Sequence, residues 1–146
     1  MKFSDILSLF KQGKGTAKSH MKNLIEMAAA DGNFDEVEYS LLKDIAKRNH
    51  ISESQLKDIR KNPSNVQFEL PDGKKERFHQ FYDLVHMMSV DEQIHADELK
   101  LSHLFVSKFG YKRDRAKELV DSVRINIQNG QNYDETLKRV EWLITE

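Results

Sequence analysis

Residues 21–48 read MKNLIEMAAADGNFDEVEYSLLKDIAKR, and their spacing decides the fold class. Met21, Leu24, Ile25 and Ala28 recur at i, i+3, i+4 and i+7, and Leu41, Leu42, Ile45 and Ala46 form a second stripe. Side chains so spaced share one face of a helix, whereas a half-buried strand would alternate. Outward from this stretch the same period returns in Phe78, Phe81, Tyr82, Val85 and Met88, and again in Ala116, Leu119, Val120, Val123 and Ile127. Only two prolines and six glycines interrupt the 146 residues, so long segments carry no helix breaker. The expectation is an all-α chain.

Boundary signals divide it. Ser52 with Gln55 three residues on is a capping box, and Gly32, Gly110 and Gly130 stand where helices should stop. Helices are expected near 2–12, 17–30, 35–49, 53–62, 74–90, 96–109, 113–129 and 133–144. Between the fourth and fifth, a connector over 62–73 holds both prolines. Its alternating Val66, Phe68 and Leu70 should pack on the core as extended chain.

A shift of 60 residues lays one half of the sequence over the other. Met27, Asp31, Glu38, Leu41 and Lys57 fall on Met87, Asp91, Glu98, Leu101 and Lys117, and Leu24, Ile25, Ile45 and Ala46 fall on Leu84, Val85, Phe105 and Val106. The repeated unit is helix, tight corner, helix, then a short link to a third helix. Its corner reads Asp31-Gly-Asn-Phe34-Asp-Glu-Val-Glu38 in the first copy and Asp91-Glu-Gln-Ile94-His-Ala-Asp-Glu98 in the second. The expected architecture is a single domain, 1–146: a compact bundle of seven or eight helices with repeat one at about 17–62, repeat two at about 74–130 and a last helix at 133–144.

These acidic corners, with the preceding Ala28-Ala29-Ala30, the Leu-rich helix that follows and Phe68-Glu-Leu-Pro-Asp-Gly ahead of the second copy, resemble the tellurite-resistance TerB-like family of all-helical domains. The resemblance covers residues from about 20 to 130. It implies a cytoplasmic domain of two pseudo-equivalent halves, linked to stress or toxic-oxyanion resistance, with Asp31, Glu38, Asp91 and Glu98 at the positions of the family's cation-ligand candidates. The second copy departs from the pattern, with Glu92 in place of Gly32 and His95 in place of Asp35.

Two readings of the corners follow from their residues. Asp35 followed by Glu38 has the form of an N-cap and its N3 carboxylate, which satisfy free N–H groups and the positive end of the helix dipole, and capping is likewise the simpler role for Glu98. Asp31 and Asp91 sit at helix C-terminal ends, where a negative charge costs roughly 0.3–1 kcal/mol. Either an Asx-turn or a bound cation would offset that cost. Asp31, Asn33 and Asp35 imitate positions 1, 3 and 5 of an EF-hand loop, but Glu36 replaces its glycine and Leu42 its bidentate glutamate. A cation bound at these corners would therefore use a shorter carboxylate-and-water site: Asp31 and Asp91 as direct ligands, Glu38 and Glu98 as ligands or their acceptors, Asn33 and Asp35 as further oxygens. Oxygen ligands favour calcium, magnesium or manganese over zinc.

His79, Asp83 and His86 lie at i, i+4 and i+7, with His95 and His103 following. That spacing allows a transition-metal site, yet matches no recognised zinc motif, and a polar face opposite Phe78, Phe81 and Val85 reads more simply as a solvated one. With no cysteine, thiolate zinc, Fe–S clusters, disulfides and cysteine nucleophiles are excluded.

Composition narrows the partners. The 23 basic and 24 acidic side chains leave a net charge of −1, so no global field selects nucleic acid or an anionic membrane. Ile45 to Ile59 has the rhythm of a helix-turn-helix, but Glu53 and Asp58 interrupt the basic residues of its second helix. Nucleic-acid binding and a metal-dependent enzyme stand as the alternatives. No catalytic motif is present; Gly13-Lys14-Gly15-Thr16 lacks the strand and spacing of a phosphate loop. No apolar run approaches the roughly 20 residues that cross a bilayer, and Ser4, Asp5 and Ser8 break up the N-terminal apolar residues, against a secretory signal. That N-terminal helix, carrying Phe3, Ile6, Leu7, Leu9 and Phe10, docks on the core or meets a partner. The expected function is a cytoplasmic, non-catalytic binding or regulatory module whose partners are other proteins.

Overall fold

A helix starts where something takes up its first free N–H groups, and in this chain side chains do so repeatedly. The computed structural model describes residues 2–31, 34–62, 68–89 and 95–144, and of residues 17, 31 and 95 the backbone alone. Among the described residues the regular structure is eight α-helices and two short 3-10 turns, with no β-strand. The chain divides into two compact units, Met1–Glu69 and Leu70–Glu146.

The first unit contains α1 (Phe3–Lys11), α2 (Ala17–Asp31), α3 (Glu36–Arg48) and α4 (Glu53–Lys61). Reciprocal backbone and side-chain bonds open three of them. Thr16 and Ser19 exchange bonds of 2.9 and 3.1 Å ahead of α2, Asp35 and Glu38 of 2.8 and 3.3 Å ahead of α3, and Ser52 and Gln55 of 2.7 and 3.1 Å ahead of α4. Helix α1 ends in a Schellman turn: Gly13 sits at φ 71°, its N–H reaches the Phe10 carbonyl and the Lys14 N–H reaches that of Leu9. Helix α3 ends in the same turn with His50 at φ 64°, the one non-glycine left-handed residue among those described. Its neighbour Ile51, buried, donates to the Ala46 carbonyl at 2.8 Å.

Helix α2 is the centre of this unit and packs against α1, α3 and α4. Met21, Leu24, Ile25 and Ala28 are buried as the stripe requires, and Met27 and Ala29 widen it, as suits a helix with neighbours on several sides. Phe3, Ile6 and Leu7 of α1 are buried, with the Phe3 ring 5.0 Å from that of Phe68, so the N-terminal helix docks on its own unit. Phe68 thus packs as the connector's alternation suggests, while Val66 lies outside the described residues.

The second unit contains α5 (Lys74–Met88), α6 (His95–Val106), α7 (Ala116–Gln128) and α8 (Tyr133–Ile144). Phe78, Phe81, Leu84, Val85, Leu101, Phe105, Phe109, Leu119, Val120, Val123, Val140 and Leu143 build its core. Two ends differ from the sequence expectation. Helix α6 stops at Val106 and tightens into a 3-10 turn over Ser107–Phe109 before Gly110 at φ 84°, and a second 3-10 turn, Arg113–Arg115, precedes α7. Tightened i to i+3 bonds are a common way to satisfy terminal groups, and periodicity alone does not distinguish them from α. Gly130, at φ 78°, closes α7, whereas the expected stop at Gly32 lies outside the described residues. Shifted by 60, α2, α3 and α4 fall over α5, α6 and the start of α7 to within a few residues. Leu24 and Leu84, Ile25 and Val85, Met27 and Met87, Ile45 and Phe105, and Ala46 and Val106 are buried in both copies. In line with the expected absence of a spanning segment, no helix is long and apolar enough to cross a membrane among the described residues.

Candidate functional site

The first acidic corner is partly accounted for by capping. Asp35 Oδ1 accepts from the Glu38 N–H at 2.8 Å and Glu38 Oε1 accepts from the Asp35 N–H at 3.3 Å, a closed box at the start of α3. Each carboxylate is committed through one oxygen to the helix terminus. The backbone of Asp31 completes α2, while its side chain and the whole of Asn33 lie outside the described residues.

The second corner treats its matching glutamate differently. Glu98, in the first turn of α6, is only 3% exposed. A carboxylate taken out of water is stable only when paired, hydrogen-bonded or coordinating, so burial sets Glu98 apart from Glu38 at the edge of its own helix. Asp91 lies outside the described residues, as do Glu92 and the side chain of His95. Of the six proposed ligand residues, the structure places Asp35 and Glu38 together in the first unit and Glu98 in the second unit. Among the described residues no three His, Cys, Asp or Glu side chains converge in a metal-ligand group.

The face bearing His79, Asp83 and His86 is not the solvated surface expected from its polarity. Asp83 is 6% exposed, and its Oδ1 accepts from the Tyr133 hydroxyl at 2.6 Å. The His79 ring stacks on Tyr133 at 4.5 Å, and the Tyr82 ring meets Tyr133 edge-on at 4.7 Å while its hydroxyl donates to the Gln131 carbonyl at 2.7 Å. His86 stands edge-on to Tyr82. The first turn of α8 therefore covers this face, bringing one carboxylate, two phenols and two imidazoles into a seam. Burial, then the charges of Asp83 and Glu135, push the Tyr82 phenol above its ordinary range. At the rim, the hydrogen bond from Lys75, 3.2 Å away, holds the exposed Asp134 carboxyl below the usual carboxylate range, with His79 Nε2 at 3.7 Å. Tyr133 escaped the sequence reading because it lies 50 residues from Asp83; the available signal was a tyrosine, with its apolar ring and polar tip, directly after the α8 cap.

His103 does not join that seam. Its Nε2 is buried without a hydrogen-bond partner, and burial holds the imidazole below its ordinary range against the opposing pull of Asp121. The helix-turn-helix rhythm of 45–59 is realised as α3, the left-handed His50 and α4. Three of its cations have neighbours on the surface: Lys57 and Lys43 approach the exposed Glu53 at 3.6 and 3.8 Å, and the Arg60 guanidinium lies 4.6 Å from the centre of the Tyr39 ring. Glu53 sets a negative charge among these cations, which lowers their attraction for a phosphate backbone.

No protein-family model, no curated protein and no solved structure matches the chain.

Proposed function

We propose that the chain is a cytoplasmic, non-catalytic binding or regulatory module of the TerB-like kind, linked by that resemblance to tellurite or general stress resistance. In this reading its acidic helix corners take a hard divalent cation, calcium, magnesium or manganese before zinc, and the bound form engages other proteins. Asp91 is the direct ligand of the second corner, with Glu98 as a further ligand or its acceptor. Asp31, with Asn33, supplies the first, where Asp35 and Glu38 also serve as the helix cap. The observation that carries the reading is the burial of Glu98 at a helix start. A buried carboxylate is negative charge in a setting of low dielectric, which a divalent cation would meet in addition to the contacts that Glu98 has within the fold.

Calorimetric titration of the metal-stripped full chain with each cation tests this, beside Asp31→Asn/Asp91→Asn and Glu98→Gln. The expected result is weak, saturable binding that both folded variants lose. Wild type that stays folded and binds none of the four ions would refute the cation reading and leave the corners as capping and turn devices.

A further inference from the structure

The second unit holds a cleft unrelated to the acidic corners. Its volume is about 510 Å3, within the range of about 300–1,000 Å3 usual for small-molecule sites. Three pieces of chain enclose it: Lys74 and Arg77 from the first turn of α5, the Phe109-Gly110-Tyr111 corner, and Leu137, Glu141 and Ile144 at i, i+4 and i+7 along α8.

Each wall has a distinct character. The aromatic wall is rigid, because Phe109 is wholly buried, the Tyr111 ring stacks over it at 6.2 Å and 12°, and Phe81 of the core meets both rings edge-on at 5.2 and 5.4 Å. Gly110 turns this corner at φ 84°, and a Cβ there would come within 3.3 Å of Arg77 Nη1, so the missing side chain leaves room for the guanidinium. Arg77 is oriented by its Nε, which donates to the Pro71 carbonyl at 3.4 Å. Neither Lys74 nor Arg77 forms a salt bridge with a carboxylate among the described residues, although the adjacent Lys75 does. The Tyr111 hydroxyl is buried without a hydrogen-bond partner, a costly omission for a phenol. Two cations and the single carboxylate of Glu141 leave the lining one positive charge in excess.

We propose that this cleft binds a small monocarboxylate with an apolar body, its carboxylate meeting Arg77 and Lys74 and accepting the Tyr111 O–H, its body lying against Phe109, Leu137 and Ile144. A guanidinium suits a planar carboxylate through paired N–H donors. The lining's formal excess of one positive charge matches a monoanion better than a dianion such as a phosphate monoester. The apolar wall gives formate-sized acids little contact and so favours acids with a longer apolar body.

Titration of the 15N-labelled full chain with octanoate, octanol and octyl phosphate, followed by amide shifts, tests the assignment. Octanoate is expected to saturate below about 1 mM, with shifts centred on residues 74–77, 109–111 and 137–144, and to bind at least about tenfold more tightly than either analogue. Arg77→Gln should weaken octanoate by about tenfold or more and Tyr111→Phe by about threefold to tenfold. Leu137→Phe, which fills the cleft and keeps every charge, should block it. Equal binding of octanol and octanoate would reduce the site to a greasy groove and overturn the proposal. So would tighter binding of octyl phosphate, unchanged affinity in folded Arg77→Gln, or no saturation by about 10 mM.

Discussion

Replacing Tyr133 with phenylalanine removes one oxygen from the seam between α5 and α8, and the structure sets the size of the effect. That oxygen donates at 2.6 Å to a carboxylate that is 6% exposed. A hydrogen bond to a charged acceptor contributes about 1.5–3 kcal/mol, and its loss leaves desolvation of the acceptor less well compensated. Asp83 has further contacts within the fold, which holds the expected loss near the middle of that range, about 2 kcal/mol. The ring itself remains, so stacking on His79 and packing on Tyr82 are preserved. For a chain of this size the change lowers Tm by about 4–8 °C. Urea denaturation followed by circular dichroism measures it, and a double-mutant cycle with Asp83→Asn should return a coupling of at least about 1 kcal/mol. A Tyr133→Phe variant within about 0.5 kcal/mol of wild type would refute the assignment of the seam as a structural device. A zinc-induced rise in Tm, abolished by His79→Ala, would return this face to metal binding.

Three other perturbations probe separate parts of the account. His50→Gly removes a left-handed side chain from the end of α3 and should stabilise the first unit by about 0.5–1 kcal/mol in urea denaturation; destabilisation would mean that the imidazole makes a contact outweighing the backbone term. Asp35→Ala opens the box at the start of α3 and should cost about 1 kcal/mol, similar to Ser52→Ala at α4, whereas no loss would show that the box contributes nothing in solution. Burial lowers the His103 pKa from the ordinary 6.5, so the unfolded chain takes up that proton more readily and its contribution to stability is intact above 6.5 and declines as pH falls below it towards the folded pKa. His103→Gln should flatten the stability slope below about pH 6.5, and an unchanged slope would assign the pH dependence to other groups.

Local information made most of the helices legible. The capping pairs at Asp35/Glu38 and Ser52/Gln55 lie within four residues, and the stripes led by Met21 and Phe78 follow one helical period, so nearby sequence specifies both. The 60-residue repeat also identified positions buried in both copies, such as Ile25 and Val85. What escaped that reading depends on contacts distant in sequence. Asp83 on a polar stripe gives no sign that Tyr133 will cover it, and the Tyr111 cleft needs three segments spread over 70 positions. Glu38 and Glu98 occupy matching places in the repeat, yet Glu38 is half-buried and Glu98 buried. Repeat symmetry constrains the backbone spacing more tightly than the packing around each side chain.

Paramagnetic broadening by manganese is the most direct measurement of the cation reading. Substoichiometric Mn2+ added to the 15N-labelled full chain should selectively broaden amides over 91–98 and, more weakly, over 31–38, and excess magnesium or calcium should restore them. Broadening centred on His79 and His86, or none that Glu98→Gln and Asp91→Asn remove, would contradict it.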